Sequence, residues 1–499
     1  MKTTALVLTL LAAASVLAAD TPYIETFEVR LHNLDVIVTD AKGKPVHGLT
    51  KDDFVVVENG AKQHVTNFAV YDEQAGVASS PAVPAPTTEA GSEASVVSAP
   101  PPRHFVFFID DMGLQKMARQ RLFKNLKGFI DAMRAGDVAA VIRPTAQNKI
   151  VQGFTGDRAA LEKSLESIIE NSKESYMGSR EEIAHLRWAL RNADTPDLRF
   201  LAKLEYADAA ARRVEHRLGQ LRALTSSLGD LPGKKVVILV SMGLSAKPGM
   251  EAWNVSELLR ATSVMEDGVV ADAMDVVGDP NSDRPIIHNL EEAIAEIARG
   301  AAATGVTIYA LEPDVPLTLA VRGAASVPGA MMRSGQSRSD PRIELQPTFE
   351  NDLLQNAETT LASLTEKTGG RWFRGLSNID DVFRQVNEDG GFYYSLAYRA
   401  TGDPDKARRV NVSIRNRPEL RVRTRSEVLD KSTNREMTDL VVASLLYPRT
   451  VNELGIGVTA GKPQKERGLF TIPLDVVIPL KNLTFLPIDG GKYVANFDL

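Results

Sequence analysis

The chain has 499 residues, more than one hydrophobic core usually organises, which predicts two to four domains. With 43% hydrophobic and 24% charged residues, neither a disordered nor a membrane-spanning chain is expected. A formal net charge of −6 argues against a nucleic-acid partner, and the lack of cysteine rules out disulfides, thiolate catalysis and cysteine-ligated metals.

Residues 1–19 have the layout of a secretory signal peptide: Lys2, an apolar core too short to span stably, and small residues at Ala18 and Ala19. A buried N-terminal helix is the alternative. No cysteine follows the apolar core and no second apolar run has membrane length, so an exported chain, periplasmic or secreted, with no lipid anchor or transmembrane segment is expected. Within 20–73 the period is two: Leu34, Val36 and Val38 alternate with polar residues, Asp40 to Pro45 makes a turn, and Phe54 to Glu58 is a second strand. Glu58-Asn59-Gly60 is a hairpin turn, because Asn-Gly accepts positive φ, and His64 to Tyr71 closes the unit. These strands are too few to be stable alone. Residues 74–102, rich in Pro, Ala and Ser, predict a flexible linker.

From 103 to 401 strands and helices alternate, as in a mostly parallel α/β sheet flanked by helices. Strands are predicted at 104–110, 137–143, 149–154, 235–241, 305–311, 371–374 and 392–399, and helices at 116–134, 157–171, 288–303, 353–368 and 378–388. Insertions interrupt this economy at 172–228, 245–287 and 314–347. The first holds two helical stretches split near Pro196. The other two leave the carboxyl ends of strands, where open α/β sheets bind ligands, and read either as recognition loops or as disordered lineage-specific additions. From 402 to 499 β character returns around a helix at 436–446, and the last residues read as though the chain were cut inside a strand. The basic run from Arg415 to Arg425 reads as a solvated strand face or an anion-binding surface. The β segments at the two ends are expected to complete one sandwich, with the α/β unit inserted in it.

The candidate site is the end of the run from His104 to Ile109, a buried strand that stops at Asp110 and Asp111. These carboxylates either hold a hard cation with carbonyls and water or cap the following helix. Nothing catalytic competes with that reading. The seven histidines are dispersed, Gly243-Leu-Ser245-Ala-Lys247 lacks the closing glycine of a nucleophile elbow, and Gly229 to Lys235 precedes a strand rather than a helix. The acid pairs Glu181-Glu182 and Asp380-Asp381 sit where helix N-termini favour acids.

Several segments carry a family likeness. Asp40 to Pro45, Gly48 to Phe54 and Glu58 to Gly60 resemble the N-terminal β unit of the von Willebrand factor type A-related exported proteins of bacteria, of the acidobacterial type. Leu231 to Gly243 resembles that family's fourth sheet strand, Gly305 to Ala310 its fifth, and Thr368 to Phe373 with Tyr393 to Tyr398 its last. The likeness spans about 25 to 430. It implies a von Willebrand A (Rossmann-like) fold with one antiparallel edge strand. It also implies an adhesion site in which Asp-x-Ser-x-Ser, a Thr and a second Asp hold Mg²⁺ and leave one position for a partner's carboxylate. Here Asp110 takes the first position, but Met112 and Leu114 stand where the serines belong, and counting from Asp111 gives Gly113 and Gln115. Ser179 is the candidate for the threonine, and Ser241-Met242-Gly243 replaces Thr-Asp-Gly, so the second acid is missing. Neither thioether nor alkyl groups suit Mg²⁺. The implied metal set is Asp110, Asp111 and Ser179, a degenerate seat for Mg²⁺ or another divalent cation. The implied role is an exported, non-enzymatic adhesion-type protein that binds a protein or surface ligand. Alternatives are an assembly module of the cell envelope, with the helical insertion making the contact, and an unrecognised hydrolase.

Overall fold

The computed structural model describes residues 31–72, 77–79, 102–110, 116–144, 149–170, 185–241, 244–253, 288–312, 359–374, 379–447 and 452–494, apart from 187, 191, 230, 242–243 and short gaps at 251, 401, 453–454, 467–468, 484 and 489–491. The signal-peptide expectation, the 314–347 insertion, most of the linker and most of 245–287 lie outside these residues.

The N-terminal strands are β1 (Leu31–Thr39), β2 (Phe54–Glu58), β3 (Ala61–Gln63), β4 (Val65–Asp72) and β5 (Val77–Ser79). The turn between β2 and β3 is made by Asn59 at φ 46° and Gly60 at φ 85°, the left-handed pair that a tight hairpin needs. Residues 77–79, expected in the linker, instead pair with the end of β4.

Next comes the α/β layer: β6 (Arg103–Ile109), α1 (Lys116–Asp131), β7 (Val138–Arg143), β8 (Lys149–Thr155), α2 (Arg158–Glu170), α3 (Pro196–Ser227), β9 (Lys234–Val240), α4 (Glu291–Ala303), β10 (Val306–Glu312), β11 (Trp372–Arg374) and α5 (Ile379–Gly391). The sheet order is β11-β10-β9-β6-β7-β8, parallel throughout except for β8 at one edge. Numbered within the sheet this is 3-2-1-4-5-6, the doubly wound order, with β6 at the centre. Every residue of β6 and β9 is buried, as strands covered on both faces require. One face packs Phe105, Phe107 and Ile109 against α1, α2 and α5, and the other packs Val106 and Phe108 against α3 and α4.

The chain then returns through β12 (Phe392–Arg399), β13 (Arg408–Ile414), β14 (Arg421–Arg423) and β15 (Glu427–Val428). Here one expectation is corrected. Residues 392–399 do not join the parallel sheet; β12 lies antiparallel between β1 and β4 in a sheet of order β14-β1-β12-β4-β5. The second sheet, β15-β13-β2-β3, likewise mixes strands from both ends of the chain. The two sheets share one core, in which Leu34, Val36, Phe54 and Val56 meet Tyr394, Leu396, Val410 and Val412. The two chain ends thus complete a single sandwich around the inserted α/β layer, and the N-terminal strands gain the partners they lacked.

Helix α6 (Thr433–Leu446), capped by the Ser432 side chain, lies on α3, where Ala443 and Tyr447 join the core at Leu221 and Leu224. Beyond it are two-stranded hairpins, including β16 (Gly457–Ala460) paired with a strand at Leu474–Val477. No described helix is long and apolar enough to cross a membrane.

Candidate functional site

The apolar run of β6 ends abruptly at Asp110, whose backbone N–H donates to the Val240 carbonyl at 2.8 Å. One strand over, the Ser241 N–H donates to the Leu311 carbonyl at 3.1 Å. The parallel register, with Ile109 opposite Val240 and Val240 opposite Leu311, therefore sets Asp110, Ser241 and Glu312 side by side on three adjacent strand ends. All three are buried, at 2%, 0% and 4% exposure. This is the carboxyl edge, where open α/β sheets place ligands.

The Ser241 hydroxyl donates to Asp110 Oδ2 at 2.8 Å. The same oxygen faces Arg217 Nη1 at 3.4 Å, and the Arg217 side chain is only 14% exposed. Glu312 has a looser neighbour, Arg374 Nε at 3.9 Å.

Arg217 arrives on α3. Thr195 caps this helix by accepting the Leu198 N–H, and Pro196 occupies its first turn, so the predicted break and restart coincide with a physical cap. Its buried positions Ala207, Ala210, Ala211, Val214, Leu218 and Leu221 recur every three or four residues and fix its rotation. The segment after β9 pins it further. A Cβ added at Gly249 would fall 2.4 Å from the Ala207 Cα, so only glycine permits that approach. Trp253 packs on Phe200 with ring centroids 5.5 Å apart, and His288 Nε2 lies 2.8 Å from Asp208 Oδ1. Gly249 and Trp253 of the 245–287 insertion, and His288 just beyond it, thus rest on α3.

Of the residues expected to hold a metal, Asp110 stands at the edge as described, while Asp111 and Ser179 lie outside the described residues, as do Met112, Leu114 and Met242. Among the described residues no group of three or more His, Asp or Glu is arranged to hold a metal. Nor does the local charge suit one. A divalent ion on Asp110 Oδ2 would sit beside a guanidinium already facing that oxygen, and like charges at that separation repel strongly in a buried setting. The described residues therefore do not fit a divalent cation. Sequence reasoning missed Arg217 and Glu312. The signal for Glu312 was a carboxylate directly after a buried strand, as at Asp110. The signal for Arg217 was its phase, next to the apolar stripe of α3.

The opposite, amino edge of the sheet meets the sandwich across a polar cleft of about 800 Å³ lined by Asp35, Tyr71, Lys234, Tyr309, Tyr393 and Arg425 among others. Lys234 Nζ lies 4.1 Å from the Tyr393 ring centroid and 3.7 Å from Asp35. Burial lowers the Lys234 pKa, against the opposing pull of Asp35 and Asp389. Arg103 holds Asp137 through Nε at 2.9 Å, both side chains buried, and the Tyr309 hydroxyl donates to Asp389 at 2.8 Å.

No protein family and no curated protein matches this chain. Among solved structures it is similar to an aerotolerance-related membrane protein from Bacteroides fragilis, at 11% identity and a TM-score of 0.26 over 58% of this chain and 98% of that one. It is similar to the von Willebrand domain of the type V pili tip protein from Porphyromonas gingivalis at 12% identity and a TM-score of 0.24, over 58% and 96% of the two chains. A von Willebrand factor type A protein from Catenulispora acidiphila gives 10% identity and 0.25, over 77% and 75%. The fold is of the von Willebrand A (Rossmann-like) type by its strand order, central strand and single antiparallel edge.

Proposed function

We propose that this is an exported, non-enzymatic binding protein of the adhesion type, in which a von Willebrand A-like unit with a degenerate metal seat engages a protein or surface ligand. The observation that carries it is the carboxyl edge: Asp110 engaged by Ser241 and by Arg217 of α3. Among the described residues the hydroxyl on Asp110 is that of Ser241, which is fully buried and so is not presented to a substrate. Export rests on the N-terminal sequence alone. In this reading 1–19 is a removed signal and 74–102 largely a linker.

A second reading, an assembly module of the cell envelope, is favoured by the helical insertion. Trp188, Leu198 and Leu201 are 62%, 50% and 57% exposed there, and aromatic and aliphatic anchors of this kind carry protein interfaces. The test is capture of envelope components by the mature protein with and without EDTA, repeated with Trp188→Ala and Leu201→Ala. Capture that survives EDTA and is lost with Trp188→Ala assigns recognition to the insertion. Capture abolished both by EDTA and by Asp110→Ala restores a working metal seat. Turnover on a panel of esters and peptides overturns the non-enzymatic reading.

A further inference from the structure

We infer that Arg217 is the resident cation of the Asp110 seat, a guanidinium standing where a type A domain would place its divalent ion. The inference rests on the type A reading of this edge but on no particular partner.

A carboxylate that is 2% exposed needs a positive charge or several hydrogen bonds to stay ionised. A metal would normally supply that charge at this position. Here Arg217 Nη1 lies 3.4 Å from Oδ2 and the Ser241 hydroxyl donates to the same atom at 2.8 Å. Guanidinium suits the task better than ammonium would, being planar, permanently charged and weakly hydrated, so its own burial costs less. The sequence agrees from the other side. Met112, Leu114 and Met242 occupy the positions where oxygen ligands and the second acid belong, so the ligand set and the need for a metal have gone together.

The placement of Arg217 has a structural cost that the fold meets. Its neighbours Val214, Leu218 and Leu221 are buried in the core beneath α3, and the Gly249 contact with Ala207 holds the same helix nearer its N-terminus. The cation is thereby covalently part of the helical insertion. A metal seat can be filled, emptied or completed by a partner's carboxylate. A seat filled by a side chain from a docked helix has one state, and the partner must recognise the surrounding polypeptide.

The experiment is thermal unfolding of the full mature chain in EDTA, Mg²⁺ and Mn²⁺, together with Mn²⁺ binding followed by electron paramagnetic resonance. The expected result is one unfolding midpoint in all three conditions and no Mn²⁺ held at Asp110. Arg217→Ala should lower the midpoint by on the order of 10 °C, because it removes the guanidinium facing a buried carboxylate. Asp110→Asn in that background should recover much of the loss, so the two changes are strongly non-additive. If Arg217→Ala does not fold, Arg217→Lys provides the graded version, with a smaller fall that Asp110→Asn no longer deepens. A midpoint that drops in EDTA and returns with Mg²⁺, or tight Mn²⁺ uptake lost in Asp110→Asn, overturns the inference. So does simple additivity of the two substitutions. Failure to capture any envelope partner would leave these midpoints unchanged, so the two readings fail separately.

Discussion

The two edges of the parallel sheet are built on different electrostatic plans. At the carboxyl edge stand two buried carboxylates, Asp110 facing Ser241 and Arg217, the latter from the helical insertion, and Glu312 facing Arg374. At the amino edge charges come in a web. Arg103 holds Asp137, Asp389 takes the Tyr309 hydroxyl and an ion pair from Arg423, and Lys234 reaches towards Asp35 and Tyr393. The second edge joins the α/β layer to the sandwich, since Asp35, Tyr393 and Arg423 belong to β1, β12 and β14. The web fastens the inserted layer to the sandwich, whereas the contacts at Asp110 tie the end of the central strand to helix α3.

The largest expected effect lies in the web. Arg103→Met would leave Asp137 buried at 4% side-chain exposure without its bidentate partner, and loss of such a partner costs about 3–5 kcal/mol. Urea unfolding should show this as a lower midpoint than that of Arg217→Ala, whose parent side chain keeps 14% exposure and stands 3.4 Å from Asp110 Oδ2. An equal or larger loss at Arg217 would mean that the carboxyl edge carries as much of the fold as the web.

Lys234 should behave in the opposite sense. Burial depresses its pKa, with Asp35 and Asp389 opposing, so below the ordinary lysine range the folded state bears the cost of burying a group that the unfolded chain keeps charged and solvated. Between the depressed folded value and the ordinary lysine value the unfolded chain binds more protons, and stability rises with pH. Lys234→Met removes that cost, and Asp35, which is 43% exposed, remains solvated. We expect a gain of about 1 kcal/mol at pH 7 and a flatter dependence from pH 7 to 9, both read from urea midpoints. A loss of stability would show that the ring and carboxylate contacts outweigh desolvation.

Much of this architecture is legible in the sequence because it depends on local patterns. Asn59-Gly60 demands its hairpin, the uniformly apolar β6 and β9 demand burial on both faces, and Pro196 marks the start of α3. The placement of 392–399 was not legible. A run of Phe, Tyr and Leu suits either sheet, and only pairing with β1 and β4, more than three hundred residues earlier, decides between them. The site divides in the same way. Asp110 announces itself as a charge ending a buried strand. Arg217 is one of several arginines on α3, and the one that reaches Asp110 is chosen by how the helix docks, which Gly249, Trp253 and His288 help to set.

The smallest effect belongs to the sandwich, away from both edges. His32 Nε2 accepts from Arg408 Nη2 at 2.7 Å, which requires that nitrogen to be unprotonated, and the ring lies 5.3 Å from Tyr398. Burial lowers its pKa most, Arg425 and Arg408 push the same way, and Asp430 and Glu58 oppose them. The folded value therefore lies below the unfolded one, so its contribution is fully present above the ordinary histidine range. As pH falls through that range the unfolded chain takes up a proton first, and stability drops until the folded value is reached. His104, shifted down by burial and by Lys235, adds a term of the same sign at the amino edge. We expect both histidines to contribute to a fall in the urea midpoint as pH drops from about 7.5 to about 5.5. His32→Gln keeps an acceptor for Arg408 and should cancel its share while leaving that of His104. If the acid dependence survives in the variant lacking both rings, the titrating groups lie elsewhere and the sandwich tolerates a charged His32 through Asp430, 3.4 Å away.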